Sequence, residues 1–159
     1  MDSADTIVAP RALGATKDLL AVLPLLNRIV GAEVRREAGE DTTIGQFRVL
    51  AHLSEGPLTL SVLAKRRRVS LQSMSELMQV LVERGWISRA PDPSDRRQHL
   101  LELTEPGRAH YLRVQEMTIR QLAPLLAQLS AEELAAVRMA LPALRRVLMQ
   151  EENSESNGD

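Results

Sequence analysis

Residues Gly85 to Gly107 read GWISRAPDPSDRRQHLLELTEPG and contain the pattern that decides the fold. Two short strand-like runs, Trp86 to Ala90 and Gln98 to Leu103, flank a turn rich in Pro and Asp, which predicts a β-hairpin. The turn carries two adjacent arginines, Arg96 and Arg97. Arginines at the tip of a hairpin suit entry into a narrow DNA groove, because the negative potential of the groove attracts guanidinium groups.

The composition of the chain favours a small helical protein. Its 159 residues suffice for one domain with a hydrophobic core. Aromatic residues make up only 2% of the sequence, so aliphatic side chains must fill the core, which favours helices over a β-sandwich. The absence of cysteine excludes disulfides and thiolate-bound zinc. We expect a soluble, cytoplasmic protein, because no apolar run is long enough to cross a bilayer and the chain begins without a signal-peptide pattern.

The net charge of −1 hides an uneven distribution of charged residues. Residues 43–104 contain nine Lys or Arg and six Asp or Glu, a net charge of +3. The rest of the chain contains 11 basic and 15 acidic residues, a net charge of −4. A basic central segment between acidic ends suits a central module that contacts nucleic acid.

The hydrophobic pattern divides the chain into five segments. We expect a loose N-terminal arm at residues 1–10, a helix at 11–38, a compact module at 43–104, two helices at 105–150 and a disordered acidic tail at 151–159. Prolines inside the helical stretches predict kinks, restarts or other interruptions of these helices. These prolines are Pro24, Pro124 and Pro142.

Capping residues predict the helices of the central module. Thr43 with Gln46 forms a capping box for a second helix, and Thr59 can cap a short third helix. The basic residues 65–68 then form a turn, and Ser70 caps a helix that runs from residue 71 to residue 84.

Stop and start signals place the elements that follow this helix. Gly85 ends the helix before the hairpin. Thr104 can cap a helix that runs to about residue 129, and Ser130 with Glu133 forms a capping box for the last helix.

The order of the predicted elements is that of a winged helix-turn-helix, so we predict a mostly α fold with a small β-hairpin. Four motifs in this order resemble the MarR family of bacterial transcriptional regulators. They are VSLQSMS at residues 69–75, LVERGWI at 81–87, DPSDRR at 92–97 and LELTEPG at 101–107. The resemblance implies a winged helix-turn-helix core flanked by N- and C-terminal dimerisation helices, with double-stranded DNA as the partner.

The polar face of helix 71–84 predicts contacts with DNA bases. Met74, Leu77, Met78 and Leu81 share the face that packs on the preceding helices, so the opposite face can enter a major groove. The alternative is an ordinary solvated helix surface. The candidate recognition residues are Ser70, Gln72, Ser73, Ser75, Glu76 and Gln79.

Glu76 departs from the family pattern, because many members carry a basic residue at this point of the helix. A carboxylate that faces DNA is repelled by phosphates unless it accepts a hydrogen bond from a cytosine amino group. Glu76 can instead pair with a nearby arginine among residues 66–68.

Two basic clusters predict contacts with the DNA backbone and the minor groove. Four consecutive cations before the recognition helix suit phosphates, although a solubilising charge run is the alternative. They are Lys65, Arg66, Arg67 and Arg68. In the hairpin turn, the resemblance implies that Arg97 enters the minor groove, that Asp95 orients Arg97 through a charged hydrogen bond, and that Arg96 contacts a phosphate. The alternative is a turn selected only for its backbone conformation.

The first and last helices carry more apolar surface than one small domain can cover. A symmetric homodimer would bury this surface and place two recognition helices about 34 Å apart, one DNA turn, so that the operator is an inverted repeat. The candidate dimerisation residues are Leu19, Leu23, Leu26, Leu126, Leu141, Leu144 and Leu148.

The sequence gives no signal for a metal, a cofactor or catalysis. His52, His99 and His110 lack the spacing of metal ligands on one helix face, and His110 with Glu105 or Glu116 is the best remnant of such a site. The chain contains no nucleophile elbow, zinc-protease motif or phosphate loop, so we expect neither an enzyme nor a cofactor.

The resemblance further implies a repressor that a small aromatic or phenolic effector releases from DNA. The sequence does not identify the residues that bind this effector. The alternative from another class is a protein-interaction module that uses the winged helix as a scaffold without reading DNA sequence. A small enzyme would require a pocket with convergent titratable groups.

Overall fold

The structure is a computed structural model that describes residues 10–38, 43–93, 95 and 97–156. Within these ranges the chain forms six helices and three short strands. The helices are α1 (Pro10–Ala38), α2 (Ile44–Ser54), α3 (Leu60–Arg67), α4 (Leu71–Glu83), α5 (Glu105–Leu126) and α6 (Ala131–Ser156). The strands are β1 (Leu58–Thr59), β2 (Ile87–Pro91) and β3 (His99–Leu103). The predicted fold, mostly α with a winged helix-turn-helix core, is confirmed.

The first helix matches its predicted bounds, 11–38, to within one residue and is not divided at its proline. Pro24 lies inside α1, so the helix does not restart there. A proline in a helix interior removes one backbone hydrogen bond, and the remaining bonds carry this helix past it. Residues 1–9 of the predicted arm lie outside the described residues, and Pro10 already belongs to α1.

Capping side chains begin the helices of the central module as predicted. Thr43 and Gln46 form a complete capping box at α2, with both hydrogen bonds present. The Thr59 hydroxyl accepts the backbone N–H of Val62 at the start of α3, and the Ser70 hydroxyl accepts that of Ser73 at the start of α4. These bonds satisfy backbone donors that a helix terminus otherwise leaves open.

The basic cluster is helical where the sequence suggested a turn. Lys65, Arg66 and Arg67 form the last turn of α3, because Lys and Arg are good helix formers and cations are favourable at a helix C-terminus. Arg68 then adopts the left-handed conformation, with φ 51° and ψ 45°. Its backbone N–H donates to the carbonyl of Lys65, and the next N–H, of Val69, donates to that of Ala64. This pair of bonds ends α3 and sets the tight turn into α4.

The sheet contains one strand that the sequence analysis missed. The strand order is β1-β3-β2 and both pairings are antiparallel. Leu101 is the Cα partner of Arg89 on one side and of Leu58 on the other. With only two residues, β1 is too short to show the alternation that marks a strand in sequence.

One hydrophobic core holds the helices against the sheet. The Leu50, Leu63, Met78 and Leu81 side chains are fully buried, and Ile87 and Leu101 bring the sheet into the same cluster. The aromatic ring of Phe47 on α2 stacks on Tyr111 of α5, with 5.4 Å between ring centroids. The core therefore fixes α4 relative to the sheet, and α5 relative to α2.

The C-terminal helices begin at predicted caps. The hydroxyl of Thr104 accepts the backbone N–H of Gly107 in α5, and Ser130 with Glu133 forms a capping box at α6. Pro124 and Pro142 lie inside α5 and α6 without dividing them.

The predicted disorder of the acidic tail at 151–159 is wrong in its first part, because α6 continues to Ser156. Between Pro142 and Gly158 the sequence contains no glycine or proline, so the helix can extend beyond Met149, its last apolar residue. Residues 157–159 lie outside the described residues. None of the helices in the described ranges has the length and apolar character to span a membrane.

Candidate nucleic-acid interface

The recognition helix α4 has one buried face and one exposed polar face. Met74, Met78 and Leu81 are buried in the core, as the periodicity predicted. All six candidate recognition residues are exposed. They are Ser70, Gln72, Ser73, Ser75, Glu76 and Gln79. The structure therefore presents the predicted set on one accessible surface, where it can meet a groove.

Hydrogen bonds along this face pair glutamines with glutamates. The Nε2 group of Gln72 donates to Oε1 of Glu76 at 3.2 Å, and that of Gln79 donates to Oε1 of Glu83 at 3.0 Å. Glu76 thus takes a glutamine on its own helix, one turn away, where the sequence analysis suggested an arginine among residues 66–68. Residues four apart on a helix are neighbours, which makes this local partner readily available.

The basic cluster is more buried than a free charge run. Lys65, Arg66 and Arg67 are partly buried against the module, and Arg68 is exposed. Burial lowers the pKa of the Arg67 guanidinium, and the nearby cation of Arg48 lowers it further. An arginine remains charged despite such a shift, so the cluster still supplies positive charge beside α4.

The wing, defined here as residues 87–103, has a turn held by Asp95. One oxygen of the Asp95 carboxylate accepts the backbone N–H of Arg97 at 3.0 Å, and the other accepts the side-chain amide of Gln98 at 3.1 Å. Asp95 therefore orients Arg97 through the backbone, and the predicted bond to the guanidinium is replaced by this turn contact. An Asp side chain that bonds backbone two residues ahead is a common turn device. Arg96 lies outside the described residues.

A cleft of about 350 Å³ separates the wing from the recognition helix. Leu71 and Ser75 of α4 line this cleft together with Arg97 and Gln98 of the wing. The N-terminal part of α4 and the arginine of the wing therefore face the same side of the domain. Arg89, which is not among the residues predicted to contact DNA, also lines this cleft.

Strand alternation could have identified Arg89. It lies two residues after the buried Ile87, and side chains two apart on a strand share one face of the sheet. Its Cα partner Leu101 is also buried, which puts Arg89 over the face that meets the helices. Arg89 and Arg97 thus place two guanidinium groups at one cleft.

The wing is tied to α4 and α5 by short contacts at its base. Gly85 has φ +70°, its N–H donates to the carbonyl of Val82, and the N–H of Trp86 donates to that of Leu81. This bond pattern is the glycine-ended helix terminus predicted from the sequence. The Trp86 ring then stacks on the buried His110 of α5, with 4.0 Å between centroids and 10° between planes.

The predicted dimerisation residues lie on exposed or partly exposed surface. Leu23 and Leu26 of α1 are each 40% exposed, and Leu141 and Leu148 of α6 are 57% and 54% exposed. Leu126 is also exposed, whereas Leu19 and Leu144 are partly buried. Large aliphatic side chains this exposed on several helices form a surface that favours association.

The three histidines lie in different environments. His110 is buried against Trp86, His52 is partly buried and His99 is exposed. Among the described residues, no group of three or more His, Asp or Glu side chains is placed to hold a metal ion.

Comparisons with known proteins identify the family. A model of the MarR family matches residues 40–98. An uncharacterized HTH-type transcriptional regulator, Mb0904 of Mycobacterium bovis, is 32% identical over 106 residues, which are 66% of this chain and 74% of that protein. The multiple antibiotic resistance protein MarR of Escherichia coli is 31% identical over 103 residues, which are 64% of this chain and 72% of that protein. The crystal structure of RV1404 from Mycobacterium tuberculosis has a TM-score of 0.77 and 30% identity, and the match covers 88% of this chain and 95% of that one. The chain therefore belongs to the MarR family and is a DNA-binding transcriptional regulator.

Proposed function

We propose that two copies of this chain bind an inverted-repeat operator, each with α4 in a major groove and the wing in the neighbouring minor groove. The observation that carries this proposal is the cleft shared by α4 and the wing, because both elements face one side of the domain. A helix and an arginine-bearing ribbon on one side of a domain can enter adjacent grooves of the same duplex.

The exposed face of α4 supplies the proposed base contacts, and the two basic clusters supply the proposed backbone and minor-groove contacts. Gln72 can bond adenine through both amide atoms, and Ser73 or Ser75 can reach a base edge or a phosphate. Arg97 enters the minor groove, and Arg68, the exposed member of its cluster, contacts a phosphate. Asp95 holds the turn that presents Arg97.

The homodimer in this proposal forms through α1, α5 and α6, which flank the DNA-binding module of residues 43–104. Its support is the exposed leucine surface of these helices. A two-fold axis through such a dimer places the recognition helices about 34 Å apart, which is one turn of DNA.

The proposed regulation is repression relieved by a small aromatic or phenolic effector. Its support is the family resemblance. An effector acts by changing the spacing of the two recognition helices by a few ångström, since simultaneous fit to both half-sites is then lost. A protein that binds an operator in this way acts on the bacterial chromosome, in the cytoplasm.

The test begins with operator fragments captured from the genome by the purified full chain. Fluorescence anisotropy on a captured duplex then measures affinity as salt is raised. We expect a steep loss of affinity with salt, because each neutralised phosphate releases counterions. Arg97→Ala should weaken binding by about 5- to 150-fold, the range of one specific contact worth about 1–3 kcal/mol, and leave the dimer intact on sedimentation.

The matched control is Arg120→Ala, which removes the same charge from α5. Arg120 is exposed and bonds Glu116 at 2.6 Å, away from the cleft, so its loss should leave DNA affinity within about twofold. Unchanged operator affinity in Arg97→Ala would show that the wing is wrongly assigned. A chain that binds no duplex at any salt concentration would favour the protein-interaction module instead.

A further inference from the structure

The recognition helix carries two copies of one side-chain pair. Gln72 bonds Glu76, and Gln79 bonds Glu83 in the same way, seven residues later. All four side chains are exposed. Seven residues are about two turns, so the second pair lies about 10 Å further along the helix axis. The first pair lies toward the N-terminus, the end of a recognition helix that contacts base edges.

The exposed face of α4 is unusual for a surface that meets DNA, because its charges are negative. Between Leu71 and Glu83 the sequence contains two glutamates and no Lys or Arg. Non-specific affinity for DNA depends on cations that neutralise phosphates, so a carboxylate near the groove lowers it. Glu76 therefore weakens binding to every sequence unless one base arrangement compensates for its charge.

The bond to Gln72 leaves both side chains able to read bases. A glutamine amide has two N–H donors, and Glu76 uses one of them, which leaves one N–H and the Oε1 acceptor of Gln72. These two atoms are the pair that bonds N7 and the N6 amino group of adenine. The Glu76 carboxylate keeps its second oxygen, which can accept from a base amino group.

We propose that Gln72 and Glu76 form one base-reading unit in which Glu76 is a specificity-determining residue. It selects a base with a major-groove amino group, cytosine or adenine, and rejects guanine and thymine at that position. This proposal rests on the proposed function, since it requires α4 to lie in a major groove. It assigns to Glu76 a role in discrimination between sequences, at the cost of lower affinity for DNA in general.

The chemistry of the carboxylate explains the discrimination. An ionised carboxylate has only acceptors, so no rotation of the side chain can offer a donor. Guanine presents O6 and N7, and thymine presents O4, all of which are acceptors in the major groove. A carboxylate against these atoms is left unpaired and repelled, whereas the cytosine N4 or adenine N6 amino group donates to it. One mismatch of this kind reduces affinity by about 5- to 150-fold.

The experiment uses the full chain and a pool of duplexes with 20 random base pairs. Duplexes enriched by the wild-type protein give a consensus, and each position of the consensus is then replaced by the other three bases in an anisotropy panel. The same panel is measured for Glu76→Ala, Glu76→Gln and the matched control Glu83→Ala. Circular dichroism melts verify that each variant is folded.

The wild type should discriminate cytosine or adenine from guanine and thymine at one position in each half-site, by about 5- to 150-fold. In Glu76→Ala this ratio should fall below about 3-fold while affinity for a scrambled duplex rises, because a negative charge is removed from each subunit. Glu76→Gln should also lose the rejection of guanine and thymine, because an amide can donate to their oxygens. Glu83→Ala should keep the wild-type ratio.

Other outcomes would overturn the proposal. A ratio that survives in Glu76→Ala, or that falls equally in Glu83→Ala, shows that Glu76 does not read a base. A uniform loss of affinity across the panel in Glu76→Ala would assign the residue to helix structure. A wild-type chain that enriches no consensus contradicts the proposed function itself, which separates that failure from a failure of Glu76 alone.

Discussion

Substitution of Gly107 tests the contact between the wing and the dimerisation helices. An ideal Cβ atom on Gly107 would lie 2.0 Å from the carbonyl oxygen of Trp86 and 2.9 Å from its Cα. These are backbone atoms, so no side chain can rotate away. The Trp86 carbonyl also accepts the backbone N–H of Thr104 at 3.1 Å. Gly107→Ala therefore requires the start of α5 to move by about 1.5 Å to reach ordinary contact distance.

The expected effect is a balance of three contributions. Overpacking costs about 1–3 kcal/mol, and loss of the Thr104 hydrogen bond costs about 1 kcal/mol. The higher helix propensity of alanine offsets at most about 1 kcal/mol of this destabilisation. We expect the free energy of unfolding to fall by about 1–4 kcal/mol in Gly107→Ala. Urea titration followed by circular dichroism, at one fixed protomer concentration, measures it.

Gly14→Ala is the matched control for this prediction. Gly14 lies inside α1, and a Cβ added there meets nothing within 4 Å. The same chemical change should therefore raise the free energy of unfolding by about 0.5–1 kcal/mol. If Gly107→Ala is as stable as the wild type, or if both variants shift in the same direction, the steric reasoning is refuted.

Further predictions concern the core, a cap and a strained residue. Leu81→Ala should lower the free energy of unfolding by about 3 kcal/mol, because the Leu81 side chain is fully buried. A loss of under about 1 kcal/mol in a urea titration would contradict this prediction. Ser70→Ala should lower the free energy of unfolding by about 1 kcal/mol, because the cap loses its bond to the Ser73 N–H. Substitution of the exposed Ser75 by Ala should lower it by under about 0.5 kcal/mol, and equal melting temperatures of the two variants would contradict the capping role. Arg68→Gly should raise the free energy of unfolding measured in urea by about 0.5 kcal/mol, because glycine adopts φ 51° without steric strain, and a destabilised variant would refute the strain. The same variant should bind operator DNA more weakly in anisotropy.

The features that sequence analysis predicted well depend on interactions within a few residues. The capping box of Thr43 with Gln46 and the cap at Thr104 each involve atoms three positions apart. The helix end at Gly85 needs only a positive φ, which glycine adopts without strain. Because these signals are local, the order of helices and the hairpin could be read from the chain alone.

The features that it missed depend on contacts between distant residues. Strand β1 exists because Leu58 and Thr59 pair with β3, more than 40 positions later, and two residues carry no alternation of their own. The stack of Trp86 on His110 likewise joins the wing base to α5. Strand alternation puts Arg89 on the same face as Ile87, but its place in one cleft with Ser75 and Arg97 depends on how the sheet meets α4. Sequence patterns report which face is apolar but not which residues of two elements meet.

Two acidic residues, Asp95 and Glu76, bond groups in their own turn or helix in place of the predicted guanidinium partners. Asp95 was expected to bond the Arg97 guanidinium, and the nearer backbone N–H of Arg97 takes the carboxylate instead. Glu76 was expected to pair with an arginine among residues 66–68, and Gln72, one turn away on α4, bonds it instead. The backbone N–H of Arg97 is already fixed by the turn, so its bond to Asp95 requires no ordering of a second long side chain, which would cost conformational entropy. Gln72 lies four residues before Glu76 on the same helix face, where the two side chains are neighbours. Local partners are therefore favoured over distant ones of opposite charge on an exposed surface.

The base of the wing gives the proposed regulation a mechanical route. The N–H of Thr104 bonds the Trp86 carbonyl, and Gly107 of α5 packs against the same peptide. Trp86 in turn follows the glycine that ends α4, so the recognition helix, the wing and the start of α5 share one rigid junction. A displacement of α5 by an effector must then carry both DNA-contacting elements together, because packed junctions deform little. A hundredfold loss of operator affinity corresponds to about 2.7 kcal/mol. The effector-bound dimer must therefore favour the displaced state over the DNA-binding state by about this free energy. The dimer should therefore dissociate from the operator cooperatively, with no intermediate in which the wing has left the minor groove while α4 remains in the major groove.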